Sequence, residues 1–233
     1  MMKRILAGVL AGLAAPVVGA AQYTVDIQNL TRGIYVTPLL VAAHPSDTRL
    51  FELGAAASAN LQAMAEGGDI AGLVTDLQAV GATIDQNPAG GLLAPGDSTT
   101  ATLDTDGAAA NTRLSLVGMM LPTNDGFVAV NAVELPTEPG TYRYDVVAHD
   151  AGTEGNDEIR GSGTPGQPGF PVPAPLDGVV GTGGSGFAAS AEGYVHVHRG
   201  VIGDTDPNGG VSDIDSTLHR WLNPVLRVTV TVQ

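Results

Sequence analysis

The sequence predicts an all-β fold, an antiparallel sandwich or barrel, with a short helical insertion. Three observations lead there. From Ser98 onward the chain breaks into apolar-rich runs of strand length, separated by turn residues and without a sustained helical period. The last run, Leu226-Arg227-Val228-Thr229-Val230-Thr231-Val232, alternates apolar and polar throughout, as a half-buried strand does. Only the Ala-rich stretch between Ala56 and Gly81 switches to a helical spacing.

The first residues read as an address rather than as fold. Lys3-Arg4 precede an apolar run from Ile5 to Val18, and Val18-Gly19-Ala20 offers the small residues at which a signal peptidase cuts. The run is shorter than the roughly 20 apolar residues a membrane-spanning helix needs. No cysteine follows the small residues, which removes a lipoprotein anchor. A signal peptide over 1–20 and one domain over 21–233 are therefore expected, and secretion with them. Without Lys3 and Arg4 the basic residues fall from 10 to 8, all arginine, against 24 acidic ones. A mature net charge of −16 argues against nucleic acid and against adsorption to anionic membranes. It suits cation binding or a soluble acidic surface. With no cysteine in the chain, stability has to come from a core, which a domain of this length can build without disulfides.

In chain order, Tyr23-Thr24-Val25-Asp26-Ile27-Gln28 alternates as a first strand. Asn29-Leu30-Thr31 has the form of a glycosylation sequon. Thr37 to Ala43 is a second apolar run. Leu61, Met64 and Ala65 share a helical face that Gly67-Gly68 terminates. Asp69 can cap a second helix carrying Ile70, Leu73, Val74 and Leu77, ending at Gly81. These two helices are expected to cover an edge or end of the sheet. Ser98–Leu103, Thr112–Leu121, Gly126–Val133 and Thr141–Ala148 are the strands that follow. The Gly- and Pro-dense stretch from Gly161 to Gly193 is expected to be functional or disordered, because structureless connections of that length are uncommon. Tyr194-Val195-His196-Val197-His198 returns to strand.

The chemistry concentrates in two acidic turns. His149-Asp150-Ala151-Gly152-Thr153-Glu154-Gly155-Asn156-Asp157-Glu158 holds four carboxylates in ten residues directly after a strand, and Thr123-Asn124-Asp125-Gly126-Phe127 adds another acid between two strands. Ca²⁺ takes six to eight oxygens, so carboxylates on loops held by strands are a plausible shell; a solvated acidic loop is the alternative. Asp204-Thr205-Asp206-Pro207-Asn208-Gly209, with Asp215 at the twelfth place, follows a calcium-loop template but lacks its flanking helices and its final Glu. It is either a second calcium loop or an acidic turn. His196 and His198, two apart on one strand, turn their rings the same way. With His44 they could hold Zn or Cu; the plainer reading is two imidazoles hydrogen-bonded on a sheet face. No Gly-x-Ser-x-Gly elbow exists. Gly181-Thr182-Gly183-Gly184-Ser185-Gly186 matches a dinucleotide fingerprint by letter, but it lacks the strand and helix that such a motif joins.

Several phrases together resemble the spondin domain. Thr37-Pro38-Leu39-Leu40-Val41-Ala42-Ala43-His44, Leu50-Phe51-Glu52-Leu53-Gly54, and Ala56-Ala57-Ser58 with Met64-Ala65-Glu66-Gly67-Gly68 are similar to its opening half. Asp150-Ala151-Gly152-Thr153-Glu154, Val195-His196-Val197-His198 and Trp221-Leu222-Asn223-Pro224-Val225 are similar to its closing half. The resemblance implies an antiparallel β-sandwich of the calcium-dependent lipid-binding type, with Ca²⁺ at its loop end. It carries the ligand role to Asp125, Asp150 and Glu154, with Asp157 and Glu158 as replacements should Glu154 point away. Where relatives often place an aromatic after the first acid, this chain has Gly126 before Phe127. The expected role is a secreted, non-enzymatic calcium-binding module engaging an extracellular matrix or cell-surface partner. The alternatives are a metal-dependent hydrolase using His44, His196 and His198, and a purely structural envelope or biofilm component.

Overall fold

The computed structural model describes residues 21–233; the expected signal peptide lies outside the described residues. Thirteen strands are present among the described residues: β1 Gln22–Asn29, β2 Tyr35–Val36, β3 Leu40–Pro45, β4 Thr83–Gln86, β5 Ser98–Asp104, β6 Asn111–Leu121, β7 Gly126–Glu134, β8 Gly140–Val146, β9 Ala148–Asp150, β10 Arg160–Gly161, β11 Phe170–Pro171, β12 His196–Val197 and β13 Leu226–Val232. Two helices, α1 Ala59–Gly67 and α2 Ala71–Ala79, lie between β3 and β4. One main sheet has the order β5-β1-β13-β8, the second runs β12-β9-β7-β6-β3-β4 with β2 also on β6, and β10 and β11 form a separate parallel pair. The pairings in both sheets are antiparallel. The all-β sandwich with a helical insertion is what the sequence predicts.

Strand alternation decides which residues meet between the sheets. Val25, Ile27, Val228 and Val230 of the first sheet face Val41, Leu114, Leu116, Val128 and Val130 of the second in one core cluster. The intervening residues of the second sheet are also apolar. Leu40, Ala42, Val117, Met119, Phe127 and Ala129 point to its other face. A sheet apolar on both faces needs a second cover, since each exposed Leu or Phe forfeits about 1.5–3 kcal/mol. Leu61, Met64, Leu73 and Leu77 of the two helices supply it. The helices thus lie on the outer face of the second sheet rather than at an edge or end. Ser58 caps α1 by accepting from the Leu61 N–H, and Gly68 closes it at φ 71°. Asp69 accepts from the Ala71 N–H at 2.9 Å from one residue before the N-cap position of α2, which is Ile70.

Three other expectations change in detail. The run expected as one strand over Thr141–Ala148 divides at Val147: β8 pairs with β13 in the first sheet, and β9 with β7 in the second. The chain crosses between sheets there, which a period-2 pattern cannot reveal. The strand expected over Tyr194–His198 shortens to β12. The stretch from Gly161 to Gly193 is built into the fold, with Phe170, Leu176 and Val180 buried in the second core. The Arg160 guanidinium ties it down by donating to the carbonyls of Gly181, Asp177 and Val180 and to Asp177 Oδ1. The sequon is internal. Asn29 is 1% exposed, and its amide donates to the carbonyls of Ile34 and Leu93. No helix among the described residues is long and apolar enough to cross a membrane.

Candidate metal centre

Three adjacent strands bring the acidic turns together. Gly126 of β7 pairs with Asp150 of β9, and Asp150 pairs with His196 of β12. Asp125, one residue before β7, therefore lies at the same end of the sheet as the Asp150 loop. Its preceding turn is held by Thr123, whose hydroxyl donates to Met120 O (2.6 Å) and accepts from Gly126 N (3.0 Å). A Cβ at Gly126 would lie 2.6 Å from Thr123 Oγ1 and 3.0 Å from the His198 ring. The glycine that departs from the family pattern is thus required by its two neighbours.

Asp125 is fully buried. Its Oδ2 accepts from Thr153 N (2.8 Å), Thr153 Oγ1 (3.2 Å) and Glu154 N (3.1 Å), so the carboxylate shapes the second acidic loop. Its Oδ1 is buried without a partner. Burial, and secondarily the charge of Asp150, push the Asp125 carboxyl up to about 8. Two carboxylates close together out of water cannot both ionise cheaply unless a cation joins them. Asp150 accepts at Oδ1 from Gly152 N (2.8 Å) and at Oδ2 from the Asn156 amide (2.9 Å). Gly152 has φ +66°, and a Cβ there would collide with the backbone of Tyr194, so only glycine lets the loop close over that segment.

Glu154 is buried, and burial raises its pKa. Its Oε1 accepts from the Asn124 amide and from Gly169 N, while Oε2 has no partner. Its backbone N–H reaches Asp125, but its carboxylate does not join those of Asp125 and Asp150 in one tight cluster: among the described residues the group of three candidate ligands with atoms within 4.8 Å of one another is Asp150, Glu192 and His196. The two possible replacements are engaged elsewhere. Asp157 Oδ1 accepts from the Asn124 amide and Ile159 N. Glu158 accepts from Ile202 N, Gly203 N and Ser212 Oγ, pinning the loop that carries those residues.

A metal-binding triad of Asp150, Glu192 and His196 is therefore possible at this end of the sheet. Glu192, in the Gly-rich stretch, was not singled out from the sequence; its i,i+4 spacing to His196 was the available signal. The three-histidine site does not form. His44 pairs with Arg113, which pairs with Glu134 at the far end of β7 from Gly126. The eight strand steps from Gly126 to Glu134 alone span roughly 26 Å, and four strand spacings lie across the sheet as well, so His44 is far from His196. Both its ring nitrogens are engaged, with Pro45 O at 2.9 Å and Ser115 Oγ at 2.8 Å. His149 belongs to the core: its ring packs on Phe51 and Phe127, and burial lowers its pKa to about 4.

The Asp204 loop is satisfied from within. Asp204 accepts from Asp206 N, Val211 N and Ser212 N, Asp206 accepts from Asn208 N, and Asp215 accepts from Thr217. These backbone donors lower the Asp204 pKa. Each of these carboxylates thus accepts from donors of its own loop.

A comparison with curated proteins finds no match. A family model described as Spondin_N matches residues 26–169, a span that takes in both helices, Asp125, Asp150 and Glu154 and stops before β12 and β13. With more than half of the sequence inside that match and a two-sheet sandwich carrying the acidic turns at one end, the chain belongs to the Spondin_N family.

Proposed function

We propose that this chain is an exported spondin-type module that binds Ca²⁺ at the acidic turns of Asp125 and Asp150, drawing in Glu154 from the adjoining loop when the ion is present, and that it presents the surrounding loops to an extracellular or cell-surface partner. One observation carries the reading. Asp125 is a wholly buried carboxylate beside Asp150, and its Oδ1 has no hydrogen-bond partner. Such an arrangement is costly in a fold that has only protons to offer it. Glu154 Oε2 is a second buried oxygen without a partner. A hard cation fits an all-oxygen donor set, with backbone carbonyls and water completing its shell. When bound, the cation supplies charge neutralisation and cross-links the two acidic turns. Asp125 meanwhile keeps its grip on Thr153 N and Glu154 N, so the metal and the loop conformation are coupled.

The acidic surface and the expected signal peptide favour an extracellular setting, where calcium is abundant. We read the chain as a binding module, with adhesion as its role, rather than as an enzyme. The test has two stages. Calorimetric titration of metal-free protein with Ca²⁺ should show binding that Asp125→Asn weakens at least tenfold; no binding by wild type rejects the reading. Capture of surface or matrix material with calcium and with chelator then separates an adhesive module from a purely structural one. A binder should retain material in a calcium-dependent way.

A further inference from the structure

The histidine pair forms a second feature at the same end of the sheet, and hydrogen bonding separates the roles of its two members. His196 Nδ1 lies 3.1 Å from the Val197 carbonyl. A carbonyl only accepts, so Nδ1 carries the hydrogen and Nε2 of the neutral ring presents a lone pair. That atom is buried and has no hydrogen-bond partner. It faces Asp150 Oδ1 at 3.5 Å and Glu192 Oε2 at 3.9 Å. In the neutral ring three lone-pair atoms therefore converge with no hydrogen among them. The separations are too long for charge-assisted hydrogen bonds, which close to about 2.7–2.9 Å. They approach the spacing of ligands around one ion: with bonds of about 2.05 Å, neighbouring corners of a zinc tetrahedron lie about 3.3 Å apart.

His198 differs. Its Nδ1 accepts from Gly200 N at 3.0 Å, so Nε2 carries the hydrogen and cannot ligate. That Nε2 is buried, without a closer partner, 3.8 Å from Asp150 Oδ2. It is placed to support the carboxylate from behind while Oδ1 faces the ligand cluster. An imidazole whose other nitrogen donates to a backbone carbonyl, with a carboxylate itself held by hydrogen bonds, is the usual construction of a protein metal ligand set.

We infer that His196, Asp150 and Glu192 form a site for a divalent transition-metal ion of the Zn²⁺ class, with water completing its shell. An imidazole nitrogen selects such an ion over Ca²⁺, which takes oxygen ligands. The site shares only Asp150 with the calcium reading and does not depend on it. Variants at His196 and Glu192 therefore probe it without touching Asp125, Asp150 or Glu154.

The experiment is calorimetric titration of metal-free, full-length protein with Zn²⁺, first without Ca²⁺ and then in saturating Ca²⁺, repeated with His196→Gln and Glu192→Gln. Visible absorption of Co²⁺-loaded protein provides an independent readout. The expected result is one equivalent of Zn²⁺ bound by wild type. His196→Gln should weaken it about 100-fold and remove the Co²⁺ spectrum, Glu192→Gln should weaken it about 10-fold, and both should retain calcium binding. Absence of Zn²⁺ binding in wild type overturns the inference, because a proton-bridged ion pair would then account for the cluster. Zn²⁺ that binds His196→Gln as tightly as wild type also overturns it, since the ion would then occupy the calcium ligands. Histidine-dependent Zn²⁺ binding in a protein that takes no Ca²⁺ supports this site and rejects the calcium reading alone.

Discussion

Replacing Asp125 by Asn tests the centre of the calcium argument. Extracellular calcium modules bind with dissociation constants of about 10⁻⁴ to 10⁻³ M. At ~10 mM Ca²⁺ and the tighter end, the ion sits near 100 times its constant and contributes about 2.7 kcal/mol to folding. For a domain of this size each kcal/mol moves the melting point by roughly 2–4 °C, so calcium should raise it by about 5–11 °C over chelated protein. Asp125→Asn keeps the side-chain shape and an oxygen for Thr153 N and Glu154 N, but removes an anionic ligand; most of the rise should vanish. The chelated states should differ in the opposite sense. Wild type carries an acid whose folded pKa is pushed up to about 8, against about 3.9 unfolded. Between those values the folded chain holds a proton that the unfolded chain has lost, so this contribution to stability falls as pH rises from about 4 to 8. The Asn variant lacks that loss and should melt at or above chelated wild type at pH 8. Asp215→Asn, in a turn whose carboxylates already have partners, should leave the calcium rise intact. Differential scanning calorimetry with calcium and with chelator checks all of this. Equal melting points for wild type under both conditions, or an undiminished rise in Asp125→Asn, would refute the reasoning.

Burial of the sequon makes a further prediction: Asn29 should stay unglycosylated in a glycosylating host, as intact mass will tell, and Asn29→Ala should cost about 2–4 kcal/mol in urea unfolding by removing the amide's bonds to the Ile34 and Leu93 carbonyls and the oxygen that accepts from Thr31 N. His44 has a pKa lowered chiefly by burial. Below about 6.5 the unfolded chain therefore takes up a proton that the folded chain resists, and stability falls as pH drops through that window. His44→Gln should flatten part of this acid-side slope, and identical slopes in the two proteins would contradict the assignment. Secreted material should begin at or near Ala21 by intact mass; retention of Met1 would overturn the signal peptide.

Much of the architecture is written in local pattern. The alternation of Tyr23–Gln28 and Leu226–Val232 specifies strands with one buried face, and the turn residues between the runs after Ser98 specify antiparallel neighbours. Helix limits at Ser58 and Gly67-Gly68 are equally local, because caps depend on residues three or four apart. Asp125 and Asp150 stand out in the chain as candidate ligands because each lies at a strand end beside a tight turn, and the resemblance pairs them. Glu154 was legible only as a position in a phrase: the partners that hold its Oε1, Asn124 and Gly169, are 30 and 15 residues away.

Other features depend on pairings between distant segments, which no period in the sequence encodes. Whether Thr141–Ala148 is one strand or two is settled by which sheet each half finds. The helices cover a face because β3, β6 and β7 are apolar on both sides, a property of three strands taken together. The same dependence governs the histidines. Spacing placed His196 and His198 on a common face and suggested His44 as a third, but strand order puts His44 at the opposite end of β7. Sequence alone therefore established the sandwich, the acidic turns and the direction in which side chains alternate. Assembly in three dimensions established which acids meet, that Glu192 approaches His196, and which ring nitrogen of each histidine is free, because those outcomes rest on hydrogen bonds made between strands and loops far apart in the chain.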